Sequence, residues 1–141
     1  MGRWLAGLAG LLLALAPMPV QAESVVARVD LSAQTMEVSV EGEPLYRWPI
    51  SSARRGYVTP TGSYRPERLY RRYFSRRYDN APMPYAIFFR AGYAIHGTEH
   101  LRQLGRPASH GCIRLAPGNA AQLFGLVQRY GSRETRIIIA H

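Results

Sequence analysis

The residues best able to do chemistry sit in one short stretch, "PASHGCIRL", from Pro107 to Leu115, which holds the chain's single cysteine, Cys112. Ser109, His110 and Gly111 precede the thiol and Arg114 follows it. A cysteine can be a buried hydrophobe, half of a disulfide, a metal ligand or a nucleophile. One cysteine cannot bridge within its own chain, and Ser109, His110 and Arg114 are poor company for a core residue. His96, His100, His110 and Cys112 could be drawn together as a metal set, but their spacings match no common zinc pattern. A nucleophile needs a base, a group that orients the base and donors for the developing oxyanion. Gly111 lets backbone come close to a substrate, and the N–H groups of Gly111 and Cys112 are candidate oxyanion donors. Two histidines could act as base. His110 stands two residues before Cys112, so in an extended stretch both side chains point the same way. His96 lies further upstream at the end of a predicted strand and is followed by Gly97. Local geometry does not choose between them. His100, in a loop, and the terminal His141 are expected to face solvent.

Several elements must carry these residues. "SVVARVDL" and "TMEVSV" are β-rich and partly alternating, and "VEGEPLYRWPI" repeats the pattern after a turn at Glu41–Gly42. Three antiparallel strands follow from this. "YAIFFR" and "YAIH" form a second predicted hairpin, with His96 at its end. Ala120, Leu123, Phe124, Val127 and Tyr130 mark one face of a helix, with Asn119 as its candidate cap and Gly131 as its stop. "TRIIIA" supplies a last buried strand. The segment 65–77 reads as a partly ordered surface excursion, in which six arginines alternate with Tyr70, Tyr73 and Phe74.

The first residues, "MGRWLAGLAGLLLALAPMPVQAES", place one arginine before an apolar run that Pro17 and Pro19 break. Small residues then precede Glu23. This pattern predicts a secretory signal peptide over 1–22, and the apolar run is short for a membrane span. Residues 23–141 suffice for one modest domain. In an exported protein an unpaired thiol calls for an explanation. The formal net charge is +9, and every basic residue other than histidine is arginine. Such a surface suits an anionic partner. Export and the lack of any nucleic-acid motif argue against nucleic acid, leaving an acidic envelope polymer or an anionic membrane face.

"IHGT" at 95–98 and "SHGCIRL" at 109–115 closely resemble blocks of the L,D-transpeptidase catalytic domain, the YkuD-like family. "TPTG" at 59–62 and "MPYAIFF" at 83–89 are similar to further blocks of it. The resemblance implies a mainly β, sandwich-like fold with one short packed helix, and a cysteine acyltransferase acting on bacterial peptidoglycan stem peptides. It implies Cys112 as nucleophile, His96 as general base and the Gly97 carbonyl as the group that orients the base. His110 takes a supporting role, and Gly111 and Cys112 supply the oxyanion amides. Arg114, Ser109, Tyr85 and Thr59 are expected to contact substrate or line the cleft. No cofactor or metal is expected. The acceptor could be a stem amine, a protein amine or water, the last making an L,D-carboxypeptidase or a hydrolase of wall-linked protein; a non-enzymatic cell-wall-binding module is the rival reading. The excursion at 65–77 falls where relatives carry a variable loop or lid. A monomer in the periplasm or cell-wall space is the expected state.

Overall fold

The computed structural model describes Gly2, residues 14–18 and residues 23–141. The expected signal peptide lies mostly outside the described residues, as does its cleavage point. Among the described residues, no helix is long and apolar enough to cross a membrane.

The three early strands form as the sequence suggests: β1 (Val25–Asp30), β2 (Thr35–Val40) and β3 (Glu43–Pro49). In β1, Val25, Ala27 and Val29 are buried while Arg28 and Asp30 face out, the alternation of a half-buried strand. The β2–β3 turn places Glu41 and Gly42 both at positive φ, a backbone that matches the twist of a tight hairpin. The "TPTG" segment leads into β4 (Gly62–Tyr64). The last strand returns beside β1 in parallel, pairing Val25 with Thr135 and Val29 with Ile139. With this last strand, β11 (Thr135–Ala140), the first sheet has the order β3-β2-β1-β11-β4.

The excursion is more ordered than its composition suggests. It contains β5 (Arg68–Tyr70) and β6 (Phe74–Ser75), and β6 forms a small ribbon with β7 (Ala81–Pro82) just beyond it. β5 adds to the edge of a second sheet whose centre is the predicted hairpin, β8 (Ala86–Arg90) and β9 (Tyr93–Gly97). β10 (Ile113–Leu115) pairs in parallel with β9, so the second sheet runs β10-β9-β8-β5. Among the described residues, the two larger sheets and one α-helix make the mainly β, sandwich-like fold expected.

The helix α1 (Pro117–Tyr130) buries Ala120, Leu123, Phe124 and Val127. Its start corrects one expectation. Asn119 lies inside the helix, Ala116 is the N-cap and makes no side-chain cap bond, and Pro117 opens the first turn. Proline suits that position, because its φ is already helical and its missing N–H would have had no partner there. At the other end the Gly131 N–H donates to Val127 O at 2.8 Å.

The main core joins Val25, Ala27, Met36 and Val38 of the first sheet to Ile87, Phe89, Ile95, Ile113 and Leu115 of the second, with the helix face. Each large side chain withdrawn from water contributes about 1.5–3 kcal/mol. The opposite face of the second sheet forms a smaller cluster of Ala86, Phe88, Ala94 and Met83, against which Tyr73 and Cys112 pack.

Candidate active site

The parallel pairing of β9 and β10 brings the chemistry together. Ile113 is level with Ile95 and Arg114 with His96. Because side chains alternate, Ile95, Ile113 and Leu115 enter the core, while Ala94, His96, Cys112 and Arg114 share the other face. Cys112 and His96 are therefore diagonal neighbours on adjacent strands, a relation that typically separates Cα atoms by about 7–8 Å. This register favours His96 over His110 as base.

His96 is only 6% exposed. Its Nδ1 lies 2.7 Å from Gly97 O. A carbonyl can only accept, so Nδ1 carries the proton and Nε2 keeps its lone pair. Burial lowers the imidazole pKa from 6.5 to about 4; the Gly97 carbonyl pulls it back up, and the Arg114 cation lowers it further. Gly97 itself is tightly enclosed: a Cβ there would lie 3.1 Å from Pro84 Cγ and 3.2 Å from Pro117 Cα, so a neighbour would have to give by a few tenths of an ångström.

The Cys112 thiol is partly buried, with Sγ 3.9 Å from Gly92 O. Burial raises its pKa above the ordinary thiol value, against opposing effects of the Ala94 backbone and the Arg114 cation. Burial thus favours the neutral thiol and the neutral imidazole on this face.

The loop before Cys112 is braced from three sides. Ser109, 1% exposed, donates through Oγ to Cys112 O at 2.6 Å and accepts the Gly111 N–H at 3.0 Å. Thr59 Oγ1 donates to Gly111 O at 2.8 Å and accepts the Ala53 N–H at 3.0 Å. Ser51 and Arg114 exchange backbone bonds of 3.0 and 2.8 Å, and Arg54 N–H donates to Ser109 O at 2.9 Å. Gly111 adopts φ +135°, and a Cβ there would meet Tyr93 Cε1 at 2.6 Å and Val58 O at 2.9 Å. Only glycine fits.

These contacts bear on three expectations. Gly111 N–H is engaged by Ser109, so in the resting loop it is not a free oxyanion donor; the Cys112 N–H is the amide on offer. Ser109 and Thr59 hold the loop through hydroxyls that are already bonded, which leaves them positioning rather than substrate-contacting roles. Tyr85 does not join the Cys112 face. It packs on the main core, with its ring 5.6 Å from Phe124 in an edge arrangement.

His110 is clamped between aromatic rings. It stacks on Tyr78 at 4.1 Å and 14°, and meets Tyr57 edge-on at 4.8 Å. Arg54 lies over Tyr57 and Arg77 over Tyr78. The ladder Arg54–Tyr57–His110–Tyr78–Arg77 ties the excursion to the cysteine loop. Burial lowers the His110 pKa, and Arg54 and Arg114 act in the same direction. Arg54, Tyr57 and Tyr78 carried no signal in the sequence beyond ordinary aromatic and basic content. Arg114 donates to Gln103 Oε1 at 3.0 Å and stays partly accessible on the Cys112 face. His100 and His141 are exposed. Among the described residues no group of three or more His, Cys, Asp or Glu side chains converges as a metal site.

The family model for YkuD, the L,D-transpeptidase catalytic domain, matches residues 24–139. The chain belongs to this family. It is 27% identical over 111 residues to the putative L,D-transpeptidase YkuD of Bacillus subtilis, covering 76% of this chain and 62% of that protein. An L,D-transpeptidase structure from Mycobacterium smegmatis superposes with a TM-score of 0.74 at 26% identity, covering 84% of this chain and 59% of the other. One from Mycobacterium tuberculosis gives 0.74 at 24% identity, covering 84% and 58%, which speaks to the fold alone. This YkuD-family chain spans about three fifths of the length of these relatives.

Proposed function

We propose that the protein is a cysteine L,D-transpeptidase that acts on tetrapeptide stems of peptidoglycan. The observation that carries this reading is the sharing of one sheet face by Cys112 and a His96 ring fixed through Gly97, in a chain of this family. As the substrate carbonyl approaches, His96 Nε2 takes the thiol proton and Sγ attacks the L-centre carbonyl of the third stem residue. The oxyanion meets the Cys112 N–H. Losing one such donor typically costs about 2.7–4 kcal/mol in the transition state. The imidazolium then protonates the departing D-alanine amine and leaves a thioester on Cys112. An amine from a neighbouring stem attacks the thioester to give a 3-3 cross-link. Arg114 holds a substrate carboxylate on this face.

Ser109, Thr59 and the His110 ladder position the loop. The arginine-rich surface supports attraction to an anionic wall polymer, and the N-terminal pattern supports action in the periplasm or cell-wall space.

The test is turnover of purified disaccharide-tetrapeptide with product masses read out. Loss of D-alanine together with a cross-linked dimer supports the reading. Tripeptide alone makes water the acceptor and the protein an L,D-carboxypeptidase. Unchanged substrate with several stem chemistries refutes the reading.

A further inference from the structure

Two loop tips stand side by side next to the cysteine loop. The first runs Arg54–Arg55–Gly56–Tyr57–Val58, and every residue in it is exposed. Tyr57 is 40% exposed and Val58 69%. A turn shapes this tip. The Tyr57 N–H donates to Arg54 O at 3.0 Å, and Gly56 at φ +91° supplies the left-handed residue that the turn needs. Both ends are pinned, by the Arg54 N–H on Ser109 O and by the Thr59 hydroxyl on Gly111 O. A fixed loop therefore holds two apolar side chains out in water. The second tip closes the β6–β7 ribbon and exposes Arg76 and Arg77. His110 joins the two, stacked on Tyr78 and edge-on to Tyr57. Together the tips carry four arginines against one carboxylate, Asp79, and among the described residues none of the four is ion-paired.

We infer that these tips dock on an anionic phospholipid bilayer. Tyr57 and Val58 enter the boundary between headgroups and acyl chains, where a tyrosine buries its ring and keeps its hydroxyl wet. Arg54, Arg55, Arg76 and Arg77 meet the lipid phosphates, which a guanidinium bonds with a planar fork. Each arginine held near such a surface strengthens binding about fivefold. The apolar pair decides between partners. A hydrated wall polymer satisfies arginines but gains nothing from Val58, whereas a bilayer takes both. The inference goes beyond the proposed reaction and does not depend on it. Its consequence is place: His110 is two residues from Cys112, so docking through these tips holds the reaction face at the membrane border.

Residues 23–141 hold both sheets, the helix and the core, so this stretch is tested and the apolar run at the start makes no contribution. Co-sedimentation compares vesicles of phosphatidylglycerol and phosphatidylcholine in equal parts with phosphatidylcholine alone. Wild type should bind the mixture at least tenfold more tightly, and less so as salt rises. Val58→Asp should weaken binding at least tenfold, and Arg55→Glu and Arg76→Glu at least fivefold each. Arg47→Glu makes the same change of charge beside Arg28, on the outer face of the first sheet, and should shift binding less than twofold. Brominated phosphatidylcholine in the mixture should quench Val58→Trp more than wild type, whose Trp48 is buried. Far-UV circular dichroism checks folding; if Val58→Asp does not fold, Arg55→Glu and Arg76→Glu decide. Equal loss from Arg47→Glu makes the attraction a matter of net charge and overturns the docking tips. Equal binding to neutral vesicles, or an unquenched Val58→Trp, overturns them too. Binding to purified peptidoglycan sacculi that the tip variants lose, with none to vesicles, assigns the tips to the wall polymer and overturns the membrane.

Discussion

Acidification isolates the role assigned to His96. Its imidazole is held at about 4 against an ordinary 6.5, with burial as the main cause. At 1.36 kcal/mol per unit, the folded protein prefers the neutral ring by roughly 3 kcal/mol. Two consequences follow with definite sign. The acid limb of kcat/KM, which reports the free enzyme, should have its midpoint near pH 4 rather than near 6.5. Stability should also fall as pH drops from 6.5 toward 4. In that window the unfolded chain takes up a proton that the folded chain refuses, so unfolding free energy rises with pH and levels off above 6.5. The slope from this one group approaches about 1.4 kcal/mol per pH unit between pH 5 and 6. Urea unfolding of wild type and His96→Asn across pH 4.5–7.5 measures it, because the difference between the two proteins removes the other titrations. Acylation rates across pH 3.5–8 measure the first effect. An acid limb centred at 6 or above, or parallel stability profiles for the two proteins, would refute a buried, neutral base.

The same electrostatics predict that iodoacetamide alkylation of free enzyme rises only above the ordinary thiol range; a rate plateau below pH 7 would show a preformed ion pair. Gly111→Ala should lose about 2–5 kcal/mol by denaturant titration, from overpacking against Tyr93 and Val58 together with a strained positive φ, and should acylate poorly; an unchanged midpoint contradicts the loop geometry. Tyr78→Ala should unstack His110, cost about 0.5–1.5 kcal/mol and speed Cys112 alkylation, with Tyr78→Phe restoring wild-type behaviour. Equal alkylation rates in all three proteins would show that the ladder does not hold the excursion over the thiol.

Much of the fold was legible because its strands alternate and its turns carry the right residues. Val25, Ala27 and Val29 announce β1, Glu41–Gly42 its neighbour's turn, and Leu123, Phe124 and Val127 the helix. The excursion was not legible. β5 contributes three residues to a sheet edge, and its arginines mask the pairing. Cys112 stood out as the candidate nucleophile, whereas spacing alone left the base open between His96 and His110; only the family resemblance pointed to His96, because the parallel β9–β10 register that sets it on the Cys112 face is a non-local fact. Buried polar pairing was equally hidden. Gln34 is 4% exposed and bonds Leu31 O and Ser52 Oγ, both at 2.7 Å, fixing the chain that braces the cysteine loop. The Gly111 amide looked free in the motif, and only the Ser109 rotamer reveals that it is engaged.

The most direct measurement is the intact mass of the protein after brief exposure to disaccharide-tetrapeptide, with the adduct mapped by peptide digestion. Wild type should gain the mass of a stem lacking its terminal D-alanine, attached to Cys112, and Cys112→Ala should gain nothing. An unmodified wild-type protein, or an adduct that persists in Cys112→Ala, would contradict the account.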